Sequence, residues 1–175
     1  MEAFLVDAID AYETGDFESA ARWFAVITDA YPDHPLAYLM LGRSLIELKD
    51  YESALEALFD HIKIVPDSVE ALIYIGMTYY ECGELDRAQE RYEQALRLRR
   101  ESILVRENIA ITHISAGNFD NALDQLVALH EERPDDAEIT ELLIVTLGRL
   151  GRWEAAKHYV RKLGSAFSAP PGTKT

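Results

Sequence analysis

Between residues 35 and 68 the chain reads PLAYLMLGRSLIELKDYESALEALFDHIKIVPDS. Its first half sets Tyr38, Leu41, Leu45 and Leu48 at spacings of three and four, and its second half does the same with Tyr51, Ala54, Leu58 and Ile62. Each series is the apolar face of an amphipathic helix. The stretch LKDY between them has room only for a tight antiparallel turn. The pattern restarts at residues 15, 49, 83, 117 and 151, every time 34 residues on. In the last three restarts the turn holds Gly83, Gly117 or Gly151, a residue that tolerates a left-handed conformation at a helix end. Pro32, Pro66 and Pro134 stop the second helix of their units. The pattern therefore predicts ten helices in five antiparallel pairs. One such pair cannot bury both its faces, whereas stacked pairs can, so the fixed period points to a stacked array.

Small residues recur where helices must approach closely. They are Ala8, Gly42, Gly76 and Ala110 in the first helices, and Ala20, Ala54, Ala88, Ala122 and Ala156 in the second. Together with the period, these residues make the chain resemble a tetratricopeptide repeat protein. The third unit carries the family pattern in Leu72, Ile75, Gly76, Tyr79, Ala88, Tyr92 and Ala95, and departs from it at Arg100, where proline is expected. The first unit departs at Asp7 and the last at Thr140, Ile144 and Ser168, as end units of such arrays commonly do. The resemblance spans residues 1–170 as a single array of repeats 1–34, 35–68, 69–102, 103–136 and 137–170, with 171–175 expected to be a disordered tail. It implies an all-α fold, a right-handed superhelical solenoid of helix-turn-helix repeats, and a non-enzymatic module for protein–protein interaction.

In that family the first helices line a concave groove. Carried over by position, the partner-binding candidates are Leu5, Ile9, Leu39, Arg43, Ile73, Met77, Tyr80, Glu107, Asn108, Ile111 and Val145. The row Leu39, Ile73, Met77 and Ile111 is too apolar for a surface that meets only water, and an apolar stripe of that kind marks an interaction site. The alternative is that tight curvature buries part of the row between neighbouring first helices. The family's carboxylate clamp for chaperone C-termini is missing, since only Asn108 matches it. Around the apolar row stand Glu13, Glu47, Glu70, Glu81, Glu107, Glu138 and Glu141. The expected partner is thus a protein or peptide, an amphipathic helix or extended segment with basic flanks. Asn108 either bonds that segment's backbone or is an ordinary solvated helix residue.

Charge narrows the partner further. The net charge of −14 speaks against nucleic acid and against anionic membrane. It is also uneven: residues 1–34 hold eight acids and one base, net −7, while residues 137–175 hold three acids and six bases, net +3. The unevenness reads first as ordinary scatter of surface charge, and alternatively as suited to head-to-tail self-association. The last helix, with Tyr159, Val160, Leu163 and Phe167, is expected to cap itself partly through Lys157, Arg161 and Lys162, or to find a neighbour. The opening MEAFLVDAIDAYETGD lacks the basic segment of a signal peptide, and no apolar run approaches the roughly 18 residues of a membrane span, so membrane insertion is not expected. One cysteine, Cys82, permits no internal disulfide and fits a cytoplasmic location.

Chemistry beyond binding finds little support. His34, His61, His113, His130 and His158 stand singly, without metal-ligand spacing, and no cofactor is expected. His113 takes the tyrosine position of its unit and reads as a packed side chain. Cys82, at a helix end with no base beside it, reads as a buried or half-buried thiol, and Trp23 and Trp153 read as packing residues. Three other roles fit the same pattern. Residues 14–98 loosely resemble the three-repeat chaperones of type III secretion translocators. The charge asymmetry suits a self-assembling scaffold. A regulatory fragment of a longer enzyme is also compatible.

Overall fold

The computed structural model describes the backbone of residues 2–168 and the side chains of residues 4–164. The expected tail at 171–175, and the side chains of Glu2, Phe167 and Ser168, lie outside these residues. The helices are α1 (Glu2–Glu13), α2 (Phe17–Ala30), α3 (Pro35–Glu47), α4 (Tyr51–Ile64), α5 (Val69–Glu81), α6 (Leu85–Leu98), α7 (Ile103–Ser115), α8 (Phe119–Glu132), α9 (Ala137–Arg149) and α10 (Trp153–Ser168). The second helix of each pair starts two residues after a restart of the pattern, and the described residues contain no strand. The chain divides into two compact units, Met1–Arg100 and Glu101–Thr175. The division falls at the inter-repeat turn where Arg100 stands in place of proline.

Local chemistry fixes the helix ends. The first helices after α1 begin at His34, Ser68, Ser102 and Asp136, and each side chain accepts a backbone N–H of the first turn. Such caps contribute about 1 kcal/mol each. Asp16 and Asp50 do the same for α2 and α4, while Glu84 and Asn118 make no side-chain cap. Within each pair the turn residue has a positive φ: Gly15, Gly83, Gly117 and Gly151 at +69° to +81°, and Lys49 at +60°. Lys49 keeps the same turn bonds as the glycines, with its own N–H donated to Ile46 O and that of Asp50 to Leu45 O. It does so with a Cβ in a region disfavoured for L-residues.

The small residues lie where the sequence expects them. Ala8, Ala20, Ala54, Ala88, Ala110 and Ala122 are fully buried. At Gly42 an added methyl would come within 2.6 Å of Leu58 Cγ, and at Gly76 within 2.6 Å of the Tyr92 ring. The last pair inverts the sizes: Ile144 takes the small-residue position, and Val160 the place held by Phe24, Leu58, Tyr92 and Leu126.

In the first unit, Ala20, Phe24 and Ile27 of α2 pack with Ala8 of α1 and with Ala37 and Met40 of α3. His61 of α4 is buried and braces two first helices. Its Nδ1 lies 2.8 Å from Pro35 O and its Nε2 2.9 Å from the Ser68 hydroxyl. In the second unit, Leu123, Leu126 and Leu129 of α8 pack on Ile139, Leu143 and Leu147 of α9, with Ala110 and Ala156 at the edges. Arg106 of α7 donates two bonds to Glu132 at the end of α8, at 2.7 and 2.6 Å. This fork ties the open ends of the pair together.

A recurrence not singled out in the sequence pattern runs through the first helices. Ser44, Thr78, Thr112 and Thr146 are buried, and each hydroxyl donates to the carbonyl four residues back at 2.7–2.8 Å. A polar side chain is thereby buried with its hydrogen bond satisfied on its own helix.

Two expectations need correction. Cys82 is exposed. It is the C-cap of α5, and Thr14, Leu48 and Ala116 at the same register are exposed too. Trp153 is 62% exposed, where Phe17, Tyr51, Leu85 and Phe119 at its register are half-buried. Its ring edge lies against Gly148, and among the described residues its outer face is uncovered.

Gly76→Ala tests the close approach. Alanine gains about 1 kcal/mol of helix propensity over glycine, but a methyl pressed into a buried ring costs roughly 1–3 kcal/mol. The expected outcome is a net loss centred on about 1 kcal/mol, and at most about 2 kcal/mol, in denaturant melts. Lys49→Gly should act the other way. Relief of about 1–2 kcal/mol of left-handed strain exceeds the extra chain entropy of glycine, so stability should rise by about 0.5–1 kcal/mol in the same assay.

Candidate functional site

In the second unit the first helices α7 and α9 form a cleft of about 110 Å³. It is lined by Leu104, Glu107, Asn108 and Ile111 from α7 and by Glu138, Ile139 and Leu142 from α9. Three of the sequence candidates, Glu107, Asn108 and Ile111, are thus gathered at one place. Leu104, at the cleft mouth, is 55% exposed, while Ile111 and Leu142 are half-buried and Ile139 is buried. The walls are apolar and the rim carries two carboxylates. Burial pushes the Glu107 carboxyl above its ordinary range. Arg133, 3.5 Å away, opposes this, and Asp136 and Glu138 reinforce it. Arg133 is also held by Asp136 at 2.7 Å, so Glu107 has only part of that cation. Asn108 donates one side-chain amide hydrogen to Leu104 O at 3.0 Å, and its carbonyl oxygen and second amide hydrogen are the groups that can meet a ligand. Val145 lies two turns beyond Glu138 on α9, 51% exposed, and is not among the lining residues.

In the first unit the candidates are spread over α1, α3 and α5. Leu5 and Ile9 are half-buried and pack against the core of the first pair. Leu39 is only 5% exposed and serves the packing of α3. Ile73 and Tyr80 are half-buried, and Met77 is exposed. Arg43 is the one base in these three helices. Its guanidinium carbon lies 4.9 Å from the Tyr12 ring centroid and 5.1 Å from that of Tyr74. Its Nη1 is 3.4 Å from Met40 Sδ and 3.8 Å from Glu70, and its buried Nε has no partner. A cation held between two rings is worth about 0.5–2 kcal/mol per contact. Burial pushes the Tyr74 hydroxyl above its usual range, with Arg43 opposing and Glu70, Tyr12 and Glu47 adding to it.

Family models place the chain. One for the tetratricopeptide repeat matches residues 5–69 and 107–163, and a second for the same repeat matches residues 69–102. The chain is a tetratricopeptide repeat protein. Among solved structures, the crystal structure of MamA protein aligns with a TM-score of 0.82 at 18% identity, over 93% of this chain and 88% of that one. MamA 41-end from Desulfovibrio magneticus RS-1 aligns at 0.87 and 13% identity, over 96% and 97%. The MamA RS-1 ArsTM double mutant aligns at 0.86 and 14%, over 94% and 92%. At these identities the likeness is one of fold. A search of curated proteins finds no match.

The tetratricopeptide family is one of protein-interaction modules, so the chemistry to look for is that of a contact surface. Among the described residues no three His, Cys, Asp or Glu side chains gather as metal ligands, and no helix is long and apolar enough to cross a membrane. Three arrangements were not legible in the sequence: the Tyr12–Arg43–Tyr74 stack, the His61 brace and the Arg106–Glu132 fork. Each includes a contact between residues at least 26 positions apart, which only the repeat register brings together.

His130, buried in the second unit, is set between α9 and α10. Its Nδ1 is 3.4 Å from the Thr140 hydroxyl and its Nε2 accepts from Lys162 at 3.2 Å, with the Tyr159 ring edge-on at 5.2 Å. Burial lowers its basicity, Lys162 and His158 lower it further, and Asp135 opposes. A histidine held neutral contributes stability above its ordinary value near 6.5, and loses it as pH falls through the lowered folded value. Tm should therefore fall between pH 7.5 and 5.5, and the fall should be much smaller in His130→Gln, as measured by thermal melts across that range.

Proposed function

We infer that this tetratricopeptide array binds a protein segment on the open faces of its first helices. The α7–α9 cleft takes an apolar side chain of that segment with a lysine or arginine beside it. The observation that carries this reading is the raised carboxyl of Glu107 above an apolar floor. A carboxylate short of cation and water gains most from a ligand that brings a positive charge with its apolar contact. The partner is an amphipathic helix or an extended segment with basic flanks. We assign the chain no catalytic role. A cytoplasmic location goes with this reading, since the exposed Cys82 stays reduced there.

A second reading, head-to-tail self-association, is favoured by the opposite net charges of the first 34 residues and of residues 137–175.

Leu104→Glu tests the cleft without touching the core, because Leu104 is exposed. With a partner recovered by pull-down and identified by mass spectrometry, titration should show at least a tenfold loss of affinity, about 1.4 kcal/mol, at unchanged Tm. Glu90→Arg, on α6, should bind as the parent does. Because the bound form needs Glu107 ionised, parent affinity should weaken as pH falls through its raised range. A Leu104→Glu protein that binds with parental affinity would remove the cleft from consideration.

A further inference from the structure

Resting on the head-to-tail reading, we propose that the outer face of α1 in one copy stacks on the outer face of α10 in the next. This contact repeats between chains the stacking that joins α2 to α3, α4 to α5 and α8 to α9 within one. At those internal junctions the incoming helix presents Leu41, Ile75 or Leu143 at the seventh residue of its repeat, and Ser44, Thr78 or Thr146 at the tenth. All of these are buried or half-buried. In α1 the same two places hold Asp7 and Asp10, both exposed, and Val6 beside them is 65% exposed. The outgoing helix of each internal junction presents Ala21 and Phe24, Leu55 and Leu58, or Leu123 and Leu126, again buried or half-buried. In α10 these places hold exposed Lys157 and Val160, the latter 51% exposed, with Arg161 next to it and Trp153 about two turns before it at the start of the same helix.

An end helix needs only polarity to stay in water. Opposite charge at corresponding stacking positions is more than polarity requires. Two acids follow an exposed valine at one end, and two bases stand on either side of an exposed valine at the other, so like ends repel and unlike ends match in sign. Lys157 is presently paired with Glu154 at 2.6 Å, an exposed pair of the kind that costs little to exchange. The contact is heterologous, so it adds copies head to tail, as a ring or a filament, and does not stop at a two-fold dimer.

Sedimentation velocity over a range of concentrations, with reductant present, tests this on the full chain. The wild type should associate progressively, and less at high salt. Asp7→Lys with Asp10→Lys, and separately Lys157→Glu with Arg161→Glu, should each shift association to at least tenfold higher concentration without lowering Tm. Mixing the two variants should restore it, because each reversed face then meets its complement. Variants that associate as the wild type does would overturn the assignment of faces while leaving self-association standing, and so would a mixture that fails to recover. A wild type that stays monomeric would overturn self-association itself. If it then associates once residues 169–175 are removed, the chain's own end segment is the occupant of the α10 face, and a second copy is not.

Discussion

How closely two antiparallel helices can approach decides everything else in this protein. At Gly42 and Gly76 there is no room even for a methyl, and the space is filled by Leu58 and Tyr92 from the partner helix. Fully buried alanines at 54 and 88 meet that approach from the other side. With the pair closed this tightly, the second helix can turn its remaining apolar residues to the next pair. There Phe24 and Ile27, or Leu126 and Leu129, become part of a core shared with α3 or α9. A looser pair would split that core and leave each repeat marginal by itself.

The first helices of the second unit keep part of their apolar surface uncovered. Val105, Ile109, Leu143 and Leu147 already fill the packed sides of α7 and α9, and Leu104, Ile111 and Leu142 stay at a cleft between the same two helices that is only partly filled. The acids on the rim are then held in poor solvent, and Glu107 registers this as a carboxyl that ionises reluctantly. Fold and cleft draw on one constraint: glycine and alanine stand where two helices approach closest, larger apolar residues fill the shared core, and the residues at the cleft keep apolar surface uncovered.

The fold was legible because its determinants are periodic. A 34-residue register survives in sequence wherever the turn glycine, the small residue and the stripe recur. The site was legible only in part. Register places Glu107, Asn108 and Ile111 on one face correctly, but it cannot say that Leu39, at an equivalent position, is sealed into packing. Lys49 shows a different limit: its left-handed backbone is imposed by the turn, and its residue type gives no hint of it. Cys82 and Trp153 were misjudged for one reason. Residue type argues for burial, whereas the end of a helix or the outer side of the last pair supplies nothing to bury them.

The exposure of Cys82 has a practical side. It is the chain's one sulfhydryl, at the end of α5 and remote from the α7–α9 cleft in sequence. What burial it has, together with Glu84 and Glu81, keeps its proton on, so the thiolate fraction at neutral pH is small. It is therefore a slow but single point of attachment for a fluorophore or spin label. A probe coupled there at mildly alkaline pH reports on the first unit without altering any residue of the cleft, and without the ambiguity that a second thiol would bring.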